Sequence, residues 1–189
     1  MLYIIIAAVA LLLVPYLIYA SIIQKRNQVN ETFSGIDVQL VKRHDLIPNI
    51  VAAAKKFMDH ESELFNDITA LRTKAVDSQH PKDAKGIKAA LDNEAALSGK
   101  LSQLMVNVEN YPNLKSDQTM IEVQKALMDV EENISAARRF YNSAVRNLND
   151  TIQVWPMSLI AKYVHVEPYP FFEAKETEKA TPDVSKLMV

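Results

Sequence analysis

The chain opens with an unbroken apolar run, Leu2 to Ile23, and then turns to mixed sequence in which apolar positions recur with helical spacing. Twenty-two uncharged residues rising 1.5 Å each extend ~33 Å, enough to cross a bilayer core of about 30 Å. Tyr3 near one end and Tyr16 and Tyr19 near the other suit interfacial positions, and Lys25 and Arg26 follow. Pro15 is tolerated in a membrane helix. The competing reading is a cleaved signal peptide, since Ile18-Tyr19-Ala20 ends in a small residue. Against it, no Lys or Arg precedes the run, which also exceeds the about 7–15 residues of a signal-peptide core. A retained anchor over residues 1–25 is the expectation.

From Val29, apolar residues recur at Phe33, Ile36, Leu40 and Ile47, with His44 filling the gap in the series. These steps define one helical face, and nothing separates it from the anchor, so the membrane helix is expected to run on. Pro48 is expected to end that helix or start the next. A second stripe from Ile50 through Phe57, Leu64, Ile68 and Leu71 to Ala75 predicts one helix from Pro48 to Asp77, closed by the break Ser78–Lys82. A third runs Ile87, Leu91, Ala95, Leu97, Leu101, Leu104, Met105, Val108 and stops at Tyr111-Pro112-Asn113. Ser116 or Asp117 can cap a fourth. In that fourth helix Leu127, Ile134, Tyr141, Leu148 and Trp155 are spaced by seven, flanked by Val145 and Ile152, and Pro156 stops it. A short apolar piece (159–166), an extended segment (167–172) and a flexible polar tail (173–189) complete the chain. The pattern predicts an all-α fold: an elongated antiparallel up-and-down four-helix bundle (26–172) on an N-terminal single transmembrane helix.

Composition removes most chemistry. A net charge of −2 leaves no electrostatic footprint for nucleic acid. The absence of cysteine excludes disulfides, Cys-ligated zinc and a thiol nucleophile, and three glycines leave no room for a phosphate loop or a strained nucleophile elbow. No cofactor, metal or catalytic residue is expected.

The positions that interrupt the apolar stripes are more informative. Gln124, Glu131 and Arg138 occupy stripe positions on the fourth helix. Glu131 and Arg138 lie ~10.5 Å apart along the axis, too far to pair, so each needs a partner from another helix. The first helix offers Asp37, Arg43, His44 and Asp45. A buried polar cluster of this kind either fixes helix register or binds and protonates a ligand. His44, His60 and Glu61 fit a metal site poorly, because position 64, where a metalloprotease helix needs its second His, is Leu. Tyr169, Phe171 and Phe172 form an apolar cluster that either folds back over the bundle or touches a partner.

Several blocks, in order, resemble the LemA family of bacterial membrane-anchored helical proteins. They are Asp37-Val38-Gln39-Leu40, Lys42 through Val51, His60-Glu61, Glu109 through Lys115, Glu131, Ala137 through Val145, Asn149, Trp155-Pro156 and Phe171-Phe172-Glu173. The resemblance implies a four-helix bundle on one N-terminal membrane helix, in agreement with the periodicity, and no catalytic site. The family's association with membrane zinc metalloproteases and envelope stress implies an accessory role. Trp155 replaces the Phe usual before the proline, and Tyr163-Val164-His165-Val166 replaces a glycine-and-phenylalanine segment. Contacts specific to that end of the family's bundle are therefore not carried over.

Together these readings give a non-enzymatic, membrane-anchored helical scaffold that recruits a membrane protein partner, with a membrane metalloprotease and further copies of the chain as candidates. Lys42, Arg43, Asp45, Tyr169, Phe171 and Phe172 are the candidate contact residues, Asp37, His44, Glu131 and Arg138 the candidate polar cluster, and Tyr141 of the core stripe a further candidate beside it. The rivals are a metal-dependent or hydrolytic enzyme at that cluster, and a signal-cleaved envelope binding protein. The resemblance implies a bacterial inner-membrane protein, and positive charge after the apolar run (Lys25, Arg26, Lys42, Arg43) predicts its N-terminus outside and its bundle cytoplasmic.

Overall fold

The structure is a computed structural model that describes residues 1–58, 60–81 and 83–173. The polar tail expected after Glu173 lies outside the described residues. Among the described residues six helices follow in order: α1 Leu2–Lys55, α2 Ser62–Asp77, α3 Ala84–Val108, α4 Pro112–Lys115, α5 Gln118–Gln153 and α6 Met157–Tyr163. There is no strand among the described residues. α1, α2, α3 and α5 alternate in direction and form the bundle. α4 is one turn, with Pro112 at its start, between α3 and α5.

α1 joins the apolar run to the bundle without interruption. Its 54 residues make a rod ~81 Å long. The side chains of Leu2–Leu17 are exposed, whereas Ile22, Val29, Phe33, Ile36, Leu40 and Ile47 are buried. The stripe read from sequence is therefore the packed face.

Pro48 does not end α1, contrary to expectation. It removes the N–H that an uninterrupted helix would aim at the His44 carbonyl four residues back. Arg72 on α2 fills that gap, its Nε donating to the His44 carbonyl oxygen at 2.8 Å. A neighbouring helix thus satisfies the acceptor that proline orphans.

The expected continuous helix from Pro48 to Asp77 is also corrected. α1 ends at Lys55 and α2 starts at Ser62, running back along α1. Met58, between them, is buried and Phe57 half-buried. Their spacing to Leu64 and Phe65 mimics two helical turns, which is why the break is invisible to periodicity.

Side-chain caps start the two later long helices. Asp83 Oδ1 accepts the Gly86 N–H at 2.7 Å to open α3, and Asp117 Oδ1 accepts the Met120 N–H at 3.0 Å to open α5. Pro81 sits so close to Gly86 that an added Cβ would lie 3.0 Å from the Pro81 Cβ. Lys100 pairs with Asp67 at 2.7 Å across the α2–α3 hairpin.

α1 and α5 form the principal antiparallel pair. Phe33 meets Tyr141 edge to face, with centroids 5.6 Å apart. The expected end of the α5 stripe is corrected: helix stops at Gln153, and Trp155, past the end, is 75% exposed rather than core. α6 then packs beside the end of α5 and the part of α1 that carries Ile18 and Ile22, placing Ala161 in the core.

The core comes in two parts. One holds Ile22, Phe33, Leu40, Ile87, Tyr141 and Leu148. The other holds Ile50, Phe65, Ile68, Leu97, Leu104 and Leu127. Leu40 and Ile47 of α1 belong to different parts, as do Leu91 and Leu97 of α3. A polar layer lies between them.

The Arg72 bond yields a coupling test. Arg72→Met is expected to cost about 1–3 kcal/mol because it strands a partly buried carbonyl. In a Pro48→Ala background the restored N–H should reduce that cost. Equal losses in thermal unfolding of the two backgrounds would show that the Arg72 bond does not compensate for Pro48.

Candidate functional site

The polar layer is built around Arg43. The side chain is 2% exposed, so its charge must be met inside the protein. Its Nη2 pairs with Glu94 Oε2 of α3. Its Nη1 donates to Ser98 Oγ at 2.8 Å and to Glu131 Oε1 of α5 at 2.9 Å. One guanidinium thus ties α1 to both α3 and α5, using the fork geometry that suits arginine rather than lysine.

His44, one residue on, reaches the same carboxylate. Its Nε2 lies 2.7 Å from Glu94 Oε1, close enough to pair but out of line for a straight hydrogen bond. On the ring's other side the Gln79 amide nitrogen lies 2.9 Å from Nδ1. A donating NH2 there makes Nδ1 the acceptor and leaves the ring proton on Nε2, facing Glu94. Glu94 is buried with Arg43 and His44, while the Glu131 side chain is 45% exposed. The layer therefore meets solvent at Glu131.

Glu131 stands at one end of a groove of about 570 Å3 between α3 and α5. Leu101, Met105, Leu127 and Met128 give it apolar walls, and Lys115 and Glu109 sit toward the far end.

A second constellation forms on the other side of the layer. After α6 the chain continues without helix or strand over 166–173 as a strap along α5. Asn149 Oδ1 accepts the Tyr169 N–H and its Nδ2 donates to the Tyr169 carbonyl, both at 2.9 Å. Asn142 holds Phe172 in the same way at 2.8 and 2.9 Å. The two asparagines are seven residues apart on a helix, ~10.5 Å. Their targets are three residues apart, a span of at most ~10 Å. The match lets two side chains of one helix hold both backbone groups of two strap residues.

Tyr141 donates its hydroxyl to the Pro170 carbonyl at 2.8 Å, and Arg138 lies over the Phe172 ring at 5.6 Å. Burial, with Tyr169 nearby, pushes the Tyr141 phenol well above its ordinary value, and burial also raises Tyr169.

The candidate residues therefore divide. Arg43, His44 and Glu131 come together, and Arg138, Tyr141, Tyr169 and Phe172 form the strap contact. Asp37 joins neither: its buried carboxylate lies 2.6 Å from Nδ1 of the exposed His80. His80 has φ 55°, a left-handed conformation that turns the α2–α3 connection there. Lys42 and Asp45 point to solvent on α1, and Phe171 is exposed at the strap. Asp45 thus contributes nothing to the polar layer.

Sequence reading missed Glu94, Ser98, Arg72, Gln79 and both strap asparagines. Glu94 was legible in principle, because an acidic residue three positions after Leu91 interrupts the α3 stripe as His44 interrupts that of α1. Ala95, assigned to the stripe, is exposed instead. Among the described residues no group of three or more His, Cys, Asp or Glu is placed to hold a metal ion.

Comparison with known proteins gives this arrangement a family. The LemA family model matches residues 32–185. The chain belongs to the LemA family. It is 25% identical over 162 residues to magnetosome protein MamQ 2 of Paramagnetospirillum magneticum, covering 75% of this chain and 60% of that protein. It is 24% identical over 174 residues to magnetosome protein MamQ of Magnetospirillum gryphiswaldense, covering 80% and 64%. Protein LemA of Metamycoplasma hominis is 22% identical over 170 residues, covering 88% and 74%. The chain thus spans about three fifths of the length of the magnetosome relatives.

Two outcomes are expected. Glu94→Leu should cost about 3–5 kcal/mol, because it leaves a buried cation short of its closest partner. Arg43→Met with Glu94→Leu should recover most of that loss, as read by thermal unfolding. Second, the raised Tyr141 phenol makes the folded state hold its proton more tightly than the unfolded chain. That contribution is intact below pH about 10 and is lost as pH rises through the folded value. Tyr141→Phe should cost about 0.5–1.5 kcal/mol at neutral pH and flatten the loss of stability in alkaline unfolding.

Proposed function

We propose that this LemA-family chain is a non-enzymatic, membrane-anchored helical scaffold that holds a membrane protein partner at a fixed height from the bilayer. The observation that carries this reading is the continuity of α1. One helix contains both the candidate span and the packed face of the bundle, so what binds the bundle is held by the anchor.

The polar cluster supports the same reading over an enzyme. Glu94 is directed at Arg43 and His44, and His44 is held on its other ring nitrogen by Gln79. These groups are occupied with one another, as in a device that sets register. Metal-dependent or hydrolytic chemistry needs a titratable group presented to a substrate, and here only Glu131 meets solvent.

The contact surfaces are the solvent face of α1 at Lys42 and Asp45, and the groove between α3 and α5 beside Glu131. An apolar segment of a membrane protein carrying a basic residue would fill the groove and pair with Glu131. A membrane metalloprotease is one such partner and a second copy another. Confinement to two dimensions raises effective concentration, so weak contacts suffice. By its flanking charges the bundle faces the bacterial cytoplasm, with the N-terminus outside.

The chain has no cysteine, which makes one experiment test both statements. Single cysteines at Lys42 and Met128, both exposed, are treated in intact cells with an impermeant thiol reagent and, in isolated membranes, with a bifunctional cross-linker. Protection until lysis and discrete heavier adducts are expected. Labelling in intact cells would reverse the orientation, and monomer alone at both positions would sink the scaffold.

A further inference from the structure

α5 ends and α6 begins at the level where the apolar run of α1 is finishing. Arg43 pairs with Glu131, and ten residues further along each helix Phe33 packs on Tyr141. Continuing that antiparallel register by eleven residues sets Ile22 level with Ile152, and both are buried. One more brings Gln153, the last residue of α5, level with Ser21, two residues or ~3 Å inside the end of the apolar run at Ile23, and Trp155 follows two residues past that end.

The end of the bundle presents apolar side chains there. Val154 is 59% exposed, Trp155 75%, Leu159 60% and Tyr163 85%. Leu159 and Tyr163, four residues apart, share one face of α6, and Val154 and Trp155 lie in the turn that leads into it. The opposite face packs inward, with Ala161 buried and Met157 and Ile160 against the cluster that holds Ile22 and, at its margin, Ile18. α6 is therefore a short amphipathic helix laid against the last turns of the candidate span. Lys162, exposed on α6, and Lys25 and Arg26 of α1 supply positive charge at the same end.

The geometry points to a second membrane contact: Val154, Trp155, Leu159 and Tyr163 seat in the headgroup and upper acyl region of the bilayer beside the anchor. This rests on Leu2–Ile23 being the span. Tryptophan and tyrosine are the residues favoured at that depth, where a ring is apolar and its N–H or O–H stays wet. Exposed apolar surface rimmed by lysine and arginine fits an anionic lipid surface. Protein is a poorer occupant, because any partner covering this face would have to displace the lipid that the adjacent span requires. The bundle is then held at two points and does not pivot freely on one helix.

Trp155 is the sole tryptophan, so its fluorescence reports this contact alone. The full chain is reconstituted in phosphatidylcholine–phosphatidylglycerol vesicles, with and without lipid brominated high on the acyl chain, and flotation of the vesicles reports anchoring separately. The expected result is co-flotation, a blue-shifted emission, strong quenching by brominated lipid and weak quenching by aqueous acrylamide. Leu159→Glu with Tyr163→Glu should leave flotation and helicity unchanged and cut brominated-lipid quenching to about half or less. Co-flotation with free access to acrylamide and no bromine quenching would overturn the contact while leaving the anchor standing. Co-flotation with Trp155 shielded from both quenchers would mean a protein covers this face, and would also overturn it. Failure to float would remove the anchor, and this contact with it.

Discussion

A guanidinium buried in the middle of a helical bundle cannot be left without partners, and Arg43 takes its partners from two other helices. The Glu94 carboxylate and Ser98 hydroxyl fix where α3 stands against α1, and the Glu131 carboxylate fixes α5. Apolar stripes alone slide past one another in steps of a turn at modest cost, because Leu, Ile and Val are nearly interchangeable partners. A single buried charge is not indifferent to such a slip, since one turn (~5.4 Å) breaks every bond it makes. Desolvating the pair costs stability, and the return is a unique register. The two halves of the core lie on either side of this layer, so their packing inherits the alignment it sets.

The same layer explains how α1 tolerates Pro48. The proline orphans the carbonyl of His44, a residue already held by Glu94 and Gln79, and Arg72 meets that carbonyl from α2. The ring, its backbone oxygen and the neighbouring guanidinium of Arg43 are bound to three different helices. A helix that would otherwise bend at Pro48 is clamped where bending would begin.

These relations decide what the sequence could tell. Periodicity located the packed face of α1, its continuity with the apolar run and the stripe of α5, because those depend on residues within one helix. It marked His44, Glu131 and Arg138 as polar intrusions. It could not see that Pro48 is compensated, since the donor lies 24 residues away on another element. It joined α1 and α2 into one helix, because Phe57 and Met58, past the end of α1, stand at a spacing from Leu64 and Phe65 that also fits two helical turns. It carried the sevenfold repeat to Trp155, past the end of α5, because a repeat says where a stripe points and not where its helix stops. The strap was least legible. Asn142 and Asn149 look like surface residues until a segment with matching spacing is laid beside them.

A rigid α1 makes orientation matter. From Ile23 to Lys55 the helix extends ~48 Å, and membrane helices tilt by about 20° on average, so under the proposed anchoring the far end of the bundle is displaced sideways by ~16 Å where only the anchor sets the angle. Tilt about one helix is also free in azimuth, so the groove beside Glu131 would sweep a circle of that radius. A scaffold that presents a groove to a membrane-bound partner gains little from such freedom, because the encounter must be paid for again in orientational entropy. A contact on one side of α1, at the base of the bundle, restricts both angles. Leu159 and Tyr163 lie on such a side, carried by α6 against the end of the apolar run, with Trp155 in the turn before it, and the strap that leaves α6 is pinned along α5 by Asn149 and Asn142. A force at the base is then passed to α5 through bonded backbone, and from α5 through Glu131 to the layer that aligns the rest.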